Sequence, residues 1–220
     1  GINFQVLFRI NYEKEVSETT LNYLEGYKHS VPVRIGNAAS KQRQIDLFGE
    51  LLDAIYLLYI KHKNGPLLNE TDWDLIYALV ESTIMEWKYK DQSIWEFRTL
   101  SKHYTFSKVL CWTALDRGIK IAKKYKKKNC IKKWINVRRE IKKDIMKNGW
   151  NKKINAFTQS YNSNRLDASM LLLPYFGFIS YKSLEMKKTI EAITKQLFDG
   201  TKSFIWSINP KSDQIREISS

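Results

Sequence analysis

Cysteine is scarce in this chain. Cys111 and Cys130 are the only two among 220 residues, and neither belongs to a Cys-x-x-Cys pattern. That count excludes a disulfide framework and makes a reduced, cytoplasmic setting the expectation. Histidine is nearly as rare. His29, His62 and His103 lie apart with no ligand spacing, so they read as polar loop or helix-end residues, and no metal or cofactor is expected. A glycine-rich phosphate loop is missing, and no Ser-His-Asp arrangement stands out. No basic-then-apolar leader opens the chain. The longest apolar run, residues 51–60, falls short of a membrane span and contains Asp53, so no membrane is expected as a partner.

Apolar, aromatic and basic residues are plentiful. Hydrophobic residues make up 43% and aromatics 13%, enough for one sizeable core, so residues 1–220 read as a single ordered domain. Seven Trp and twelve Tyr suit both a core and a carbohydrate cleft. A net charge of +14 admits nucleic acid, an anionic surface or a lysine-coated exterior. The densest run covers 120–128 and continues in Lys132 and Lys133, where cations complement the C-terminal dipole of a helical segment. It falls on a short connection away from the motif-bearing loops, so it reads as a solvated face, and nucleic acid is not expected as a partner.

Periodicity divides the chain. Residues 4–10 and 16–24 read as a short N-terminal β-hairpin around a turn at 11–14, and 24–37 as a loop punctuated by Gly26, Pro32 and Gly36. Ile45, Phe48, Leu51, Leu52, Ile55 and Leu58 recur at helical spacing, predicting a helix over about 38–63. A second begins with Thr71 as its N-cap, with Asp72 and Asp74 in the first turn. Others are predicted over 107–126, 131–146, 166–176 (interrupted by Pro174 near its end) and 184–198, and residues 203–206 read as strand-like. Short connections alternate with long ones bearing Trp and Tyr. In antiparallel helices, alternate loops emerge at opposite ends, so the long loops share one end. The prediction is an all-α chain: part of an (α/α)6 toroid, about six antiparallel helices, with the short β-hairpin before them.

Within one long loop, Asp91-Gln92-Ser93-Ile94-Trp95-Glu96-Phe97-Arg98 places an acid beside an indole. An indole offers a flat face to a pyranose, and the low dielectric beside it favours a protonated carboxyl. Leu24-Glu25-Gly26-Tyr27 and Pro32-Val33-Arg34-Ile35-Gly36-Asn37-Ala38-Ala39 lie in the preceding long loop. Ser107-Lys108-Val109, Ala114-Leu115-Asp116-Arg117, Phe157-Thr158-Gln159-Ser160-Tyr161, Leu166-Asp167-Ala168-Ser169 and Leu171-Leu172-Leu173-Pro174 follow in order. Together these blocks resemble glycoside hydrolase family 15, which contains glucoamylases, glucodextranases and microbial trehalases. The resemblance runs from near residue 1 to about Trp206.

The resemblance implies an (α/α)6 barrel and inverting hydrolysis of α-glucosidic bonds from a non-reducing end. It assigns the general acid to Glu96, and implies that Tyr27 and Arg34 line the sugar pocket while Trp95 stacks on a ring. Inversion needs a second carboxylate ~6.5–9.5 Å away to activate water. Asp167 opens a helix and reads first as its N-cap. Three departures stand out. His29-Ser30-Val31-Pro32 occupies the place of the family's Gly-Ser-Arg-Pro, Ser93 replaces a glycine, and the Ser-Glu segment carrying the family's base has no counterpart. Asp213 and Glu217 lie in a polar tail without a helical setting. The expectation is a partial catalytic domain, with an α-glucoside such as trehalose or a maltodextrin as substrate. A complementary chain or a homo-oligomer would cover its open helix faces. The alternative is an inactive truncated relative that binds sugar or a partner.

Overall fold

The computed structural model describes residues 5–98 and 101–197, so the strand-like segment at 203–206 and the carboxylates Asp213 and Glu217 lie outside the described residues. Five α-helices carry the fold: α1 (Leu47–Tyr56), α2 (Glu70–Glu86), α3 (Thr105–Lys124), α4 (Ile131–Asn148) and α5 (Leu184–Leu197).

Helix ends follow local chemistry. In α2, Asn69 accepts from Asp72 N at 2.8 Å while Asp72 accepts from Asn69 N at 3.4 Å, a capping box that puts the N-cap two residues before the predicted Thr71. α1 begins at Leu47, capped by Asp46, and not at 38. Gln92 explains the delay: its N–H donates to Arg43 O and its Oε1 accepts from Arg43 N, so the backbone at 43 is tied to another loop. Only the short 3-10 turn Ala38–Lys41 forms upstream.

Contacts between helices give their directions. From α1 to α3, Gly49 lies against Leu110, Asp53 pairs with Arg117, and Tyr59 just beyond α1 accepts from Lys124, so these two run parallel. Going up α3, Lys108, Gly118 and Lys127 meet Trp87, Val80 and Trp73, and α2 is therefore antiparallel to it. Arg138 on α4 pairs with Asp116 and Trp134 packs on Gly118, again antiparallel to α3. α1 and α3 form one layer and α2 and α4 the other, the alternation of a helical toroid. Seventeen of the 20 residues of α3 are buried, because it is sandwiched between α1, α2 and α4. A Cβ on Gly49 would come within 2.3 Å of Leu110 O, so the α1–α3 approach requires glycine.

Two details depart from the prediction. Residues 166–176 form no α-helix but the 3-10 turn Ala168–Leu172, leaving five α-helices among the described residues where about six were expected. Pro174 cannot donate to residue 170, and the segment instead buries Leu166, Met170, Leu173, Phe176 and Phe178 by coiling tightly. The hairpin also pairs differently. β1 (Thr19–Thr20) lies antiparallel to β2 (Arg34–Ile35), while Tyr12 N and Arg9 O close a turn and residues 5–10 join no strand among the described residues. A second small ribbon, β3 (Trp150–Asn151) with β4 (Ala156–Phe157), follows α4.

Charge is strongly segregated. Residues 120–153 hold fifteen Lys and Arg against two Asp and Glu, so +13 of the net +14 comes from this stretch. Lys132, Arg139, Lys143 and Lys147 line the exposed side of α4 at spacings of seven, four and four residues. No helix among the described residues is long and apolar enough to cross a membrane.

Candidate active site

The α1 and α3 N-termini share one end of the layers with the C-termini of α2 and α4, and the long loops meet there. Arg43 and Gln92 join the first two loops, Trp95 and Asp167 join the second and third, and Tyr104 bridges Ser160. The long loops are thus gathered at one end of the helical scaffold, as expected.

The loop carrying Glu96 is pinned throughout. Asp91 and Lys102 exchange two backbone hydrogen bonds of 3.0 Å, and Phe97 N donates to Gln92 O at 3.0 Å. Gln42 Nε2 donates to the carbonyls of Glu96 at 3.1 Å and Phe97 at 3.3 Å. Phe97 is fully buried and stacks on Tyr104 with ring centroids 5.2 Å apart. Two residues of the turn take left-handed backbone, Ser93 at φ 66° and Glu96 at φ 54°. Each such non-glycine costs about 1–2 kcal/mol. Ser93 stands where the resembling family has glycine, and its φ gives the physical reason for that glycine.

Glu96 itself is half-buried, and Asn37 Nδ2 donates to its Oε2 at 3.3 Å. Asn37 Oδ1 accepts from Ala39 N at 2.9 Å as cap of the turn Ala38–Lys41, which orients the amide so that its NH2 faces the acid. Trp95 is anchored by its indole: Nε1 donates to Asp167 Oδ2 at 2.7 Å. Asp167 does cap the turn Ala168–Leu172, as expected, but it does so through its other oxygen.

Arg34 makes an ion pair with Glu18 at 3.2 Å, and Arg98 reaches the same carboxylate with two hydrogen bonds of 2.8 Å. Glu18 also accepts from Ala38 N at 3.1 Å. The Arg98 hydrogen bonds are the main reason its carboxyl is pulled down to about 2. Arg98 in turn is held more firmly protonated by Glu18 and, more weakly, by the charge of Glu96. Arg34 is therefore linked to the acid turn through a shared carboxylate. Tyr27 is 80% exposed at a turn closed by Gly26 (φ 72°), with Lys28 over its ring. The structure brings Glu96, Asn37, Trp95 and Asp167 together and sets Arg34 beside them, while Tyr27 stands in solvent.

Beneath the turn sits a buried ionic layer. Lys108 is 1% exposed and donates to Trp87 O at 2.6 Å and to Tyr89 O, tying the end of α2 to α3. Burial lowers its pKa. Asp91 and Asp46 are also buried, and desolvation raises their carboxyls to about 6 and about 7, with the charge of Asp91 adding to the shift at Asp46.

Glu18, Asp46 and the second role of Asp167 were not read from the sequence, and Asp91, though inside the stretch 91–98, was given no role. Asn37 and Lys108 lay inside the motif blocks, where a signal existed. Glu18 had none, because its partners lie 16 and 80 residues away.

Two helical layers with the long loops gathered at one end form part of a helical toroid, and comparison with known proteins gives the family. The chain matches the model of glycosyl hydrolases family 15 over residues 4–204 and belongs to that family. Among curated relatives it is 38% identical over 193 residues to a trehalase of Mycobacterium tuberculosis, covering 88% of this chain and 28% of that one. A trehalase of Thermoplasma volcanium is also 38% identical over 193 residues, covering 88% and 30%. The chain thus spans under a third of the length of these relatives. A glycosidase solved in complex with glucose shares the fold at a TM-score of 0.62 and 16% identity, over 76% of this chain and 45% of that one.

Proposed function

We propose that these residues belong to the catalytic site of an inverting α-glucoside hydrolase, with Glu96 as general acid. The observation that carries this is the placement of its carboxylate. It sits half-buried among the long loops, between the Asn37 amide and an indole held fast by Asp167. Glu96 would protonate the glycosidic oxygen as the C–O bond breaks, and Trp95 would face the sugar ring. Arg34, with Tyr27 on the neighbouring turn, would line the pocket. A second carboxylate would activate water from the opposite side of the ring. In this reading the 220 residues supply the acid, and further polypeptide or a complementary chain supplies the base. Trehalose is the substrate favoured by the named relatives. A cytoplasmic setting fits the two free, buried cysteines.

A second reading is a relative that binds sugar without hydrolysing it. It is favoured by Val31, 59% exposed where family members carry an arginine, which leaves the pocket loop one donor short.

The test pairs binding with turnover. Trehalose and maltose are titrated into the chain by NMR while glucose release is assayed. Binding that Trp95→Ala weakens, without turnover, is the expected result. Absence of binding by either sugar would overturn the glucoside site. Hydrolysis by the chain alone, lost by about 10²–10⁴-fold in Glu96→Gln, would overturn the division of acid and base. Sedimentation of the same sample checks for self-association over the open helix faces.

A further inference from the structure

We infer that Asp167 is a positioning residue that sets the angle of the Trp95 indole beside Glu96, a role that rests on the glucoside-site reading above. Its two oxygens divide their work. Oδ1 accepts from Ser169 N at 2.8 Å and from Ser169 Oγ at 2.7 Å, which is the capping function. Oδ2 accepts from Trp95 Nε1 at 2.7 Å, across 72 residues of sequence. Capping alone does not call for this arrangement. Asparagine and serine cap a helix start as well as aspartate does, and neither carries a charge into the interior. Asp167 is 2% exposed, and burial raises its pKa against the pull of hydrogen bonds from Ser169, Trp95 and Gln159. What the charged form adds is acceptors on both oxygens. An asparagine has one acceptor oxygen, and its NH2 would face either Ser169 N or the indole N–H, donor against donor.

The geometry has a mechanical result. The backbone on either side of Trp95 is pinned by Asp91, Gln92 and Gln42, so the ring's remaining freedom is rotation of the indole itself. A short hydrogen bond of 2.7 Å at the ring nitrogen removes that rotation. Trp95 is half-buried, so part of the ring stays open to a ligand. Through this bond the loop at 157–167 determines how the platform beside the acid is tilted.

The test uses the full 220-residue chain labelled with ¹⁵N, comparing Asp167→Asn, Trp95→Phe and Ser169→Ala. Asp167→Asn is expected to shift the Trp95 indole resonance and to weaken trehalose binding about tenfold, the loss of one hydrogen bond. Trp95→Phe keeps an aromatic face but removes the N–H, and should weaken binding similarly even if Asp167→Asn fails to fold. The double variant should bind no worse than either single one, because both remove the same interaction. Ser169→Ala removes one capping contact and should leave both the indole resonance and binding within twofold. If Asp167→Asn leaves the Trp95 resonance in place and binding within twofold while Trp95→Phe weakens it, Asp167 is a cap only and the inference is overturned. If neither Trp95→Phe nor Trp95→Ala alters binding, the glucoside reading is what fails. The indole resonance in Asp167→Asn then still decides whether Asp167 fixes the ring.

Discussion

α3 and α4 are neighbours in one antiparallel pair, 20 and 18 residues long, and they treat charge in opposite ways. α3 buries Lys108, Asp116 and Arg117, and each is matched. Lys108 holds two carbonyls, Arg117 bonds both Asp53 at 2.6 Å and Asp116 at 2.8 Å, and Asp116 also receives Arg138 and Lys120. α4 turns Arg138 and Lys133 into ion pairs with the helices beside it, and Lys88 reaches up to its Glu140. Its outer cations Lys132, Arg139, Lys143 and Lys147 make no ion pair among the described residues. Buried charges place helices because losing one partner strands the other. Exposed charges place nothing and cost little.

The largest break in that contrast is Asp116→Ala. It would leave Arg117 and Arg138 facing each other without their shared carboxylate, and about 3–5 kcal/mol of stability should disappear in a denaturant titration. Asp46→Asn sharpens the contrast by removing a charge that the interior resists. The Asp46 carboxyl is raised from 3.8 to about 7, so its contribution is fully present below pH 3.8 and lost as pH rises through 7. Asparagine keeps the cap on α1. The variant should match the parent near pH 4 and exceed it by on the order of 4 kcal/mol at pH 8, read from urea melts at the two pH values. A flat difference across that range would show that Asp46 is ionised throughout. Ser93→Gly shows that the cost held at the acid turn is also conformational. Relief of the φ of 66° should raise stability by about 1 kcal/mol. The smallest effect belongs to α4, where Arg139→Ala should change stability by less than about 0.5 kcal/mol.

The helices with continuous apolar periodicity were legible. α3 and α4 lie within two residues of their predicted limits, because burial on one or several faces writes itself into spacing. The gathering of the long loops at one end was legible from their lengths alone. The start of α1 was not, since the backbone at Arg43 is claimed by Gln92, 49 residues on. The segment at 166–176 carried helical spacing, but Pro174 and the tie from Asp167 to Trp95 turned it into a tighter coil. At the site, Glu96 and Trp95 were readable as an adjacent acid and indole. Glu18 was not, because a carboxylate that gathers two arginines from distant loops leaves no pattern near itself.

The uneven distribution of charge also fixes how the molecule meets a surface. With +13 of +14 in residues 120–153, the chain carries a large electric moment toward α4 and the connection that leads into it. On a negatively charged bead it should adsorb with α4 downward and the α1–α3 layer turned away. It should also elute as a sharp step once salt shortens the Debye length to a few ångströms, near ~1 M.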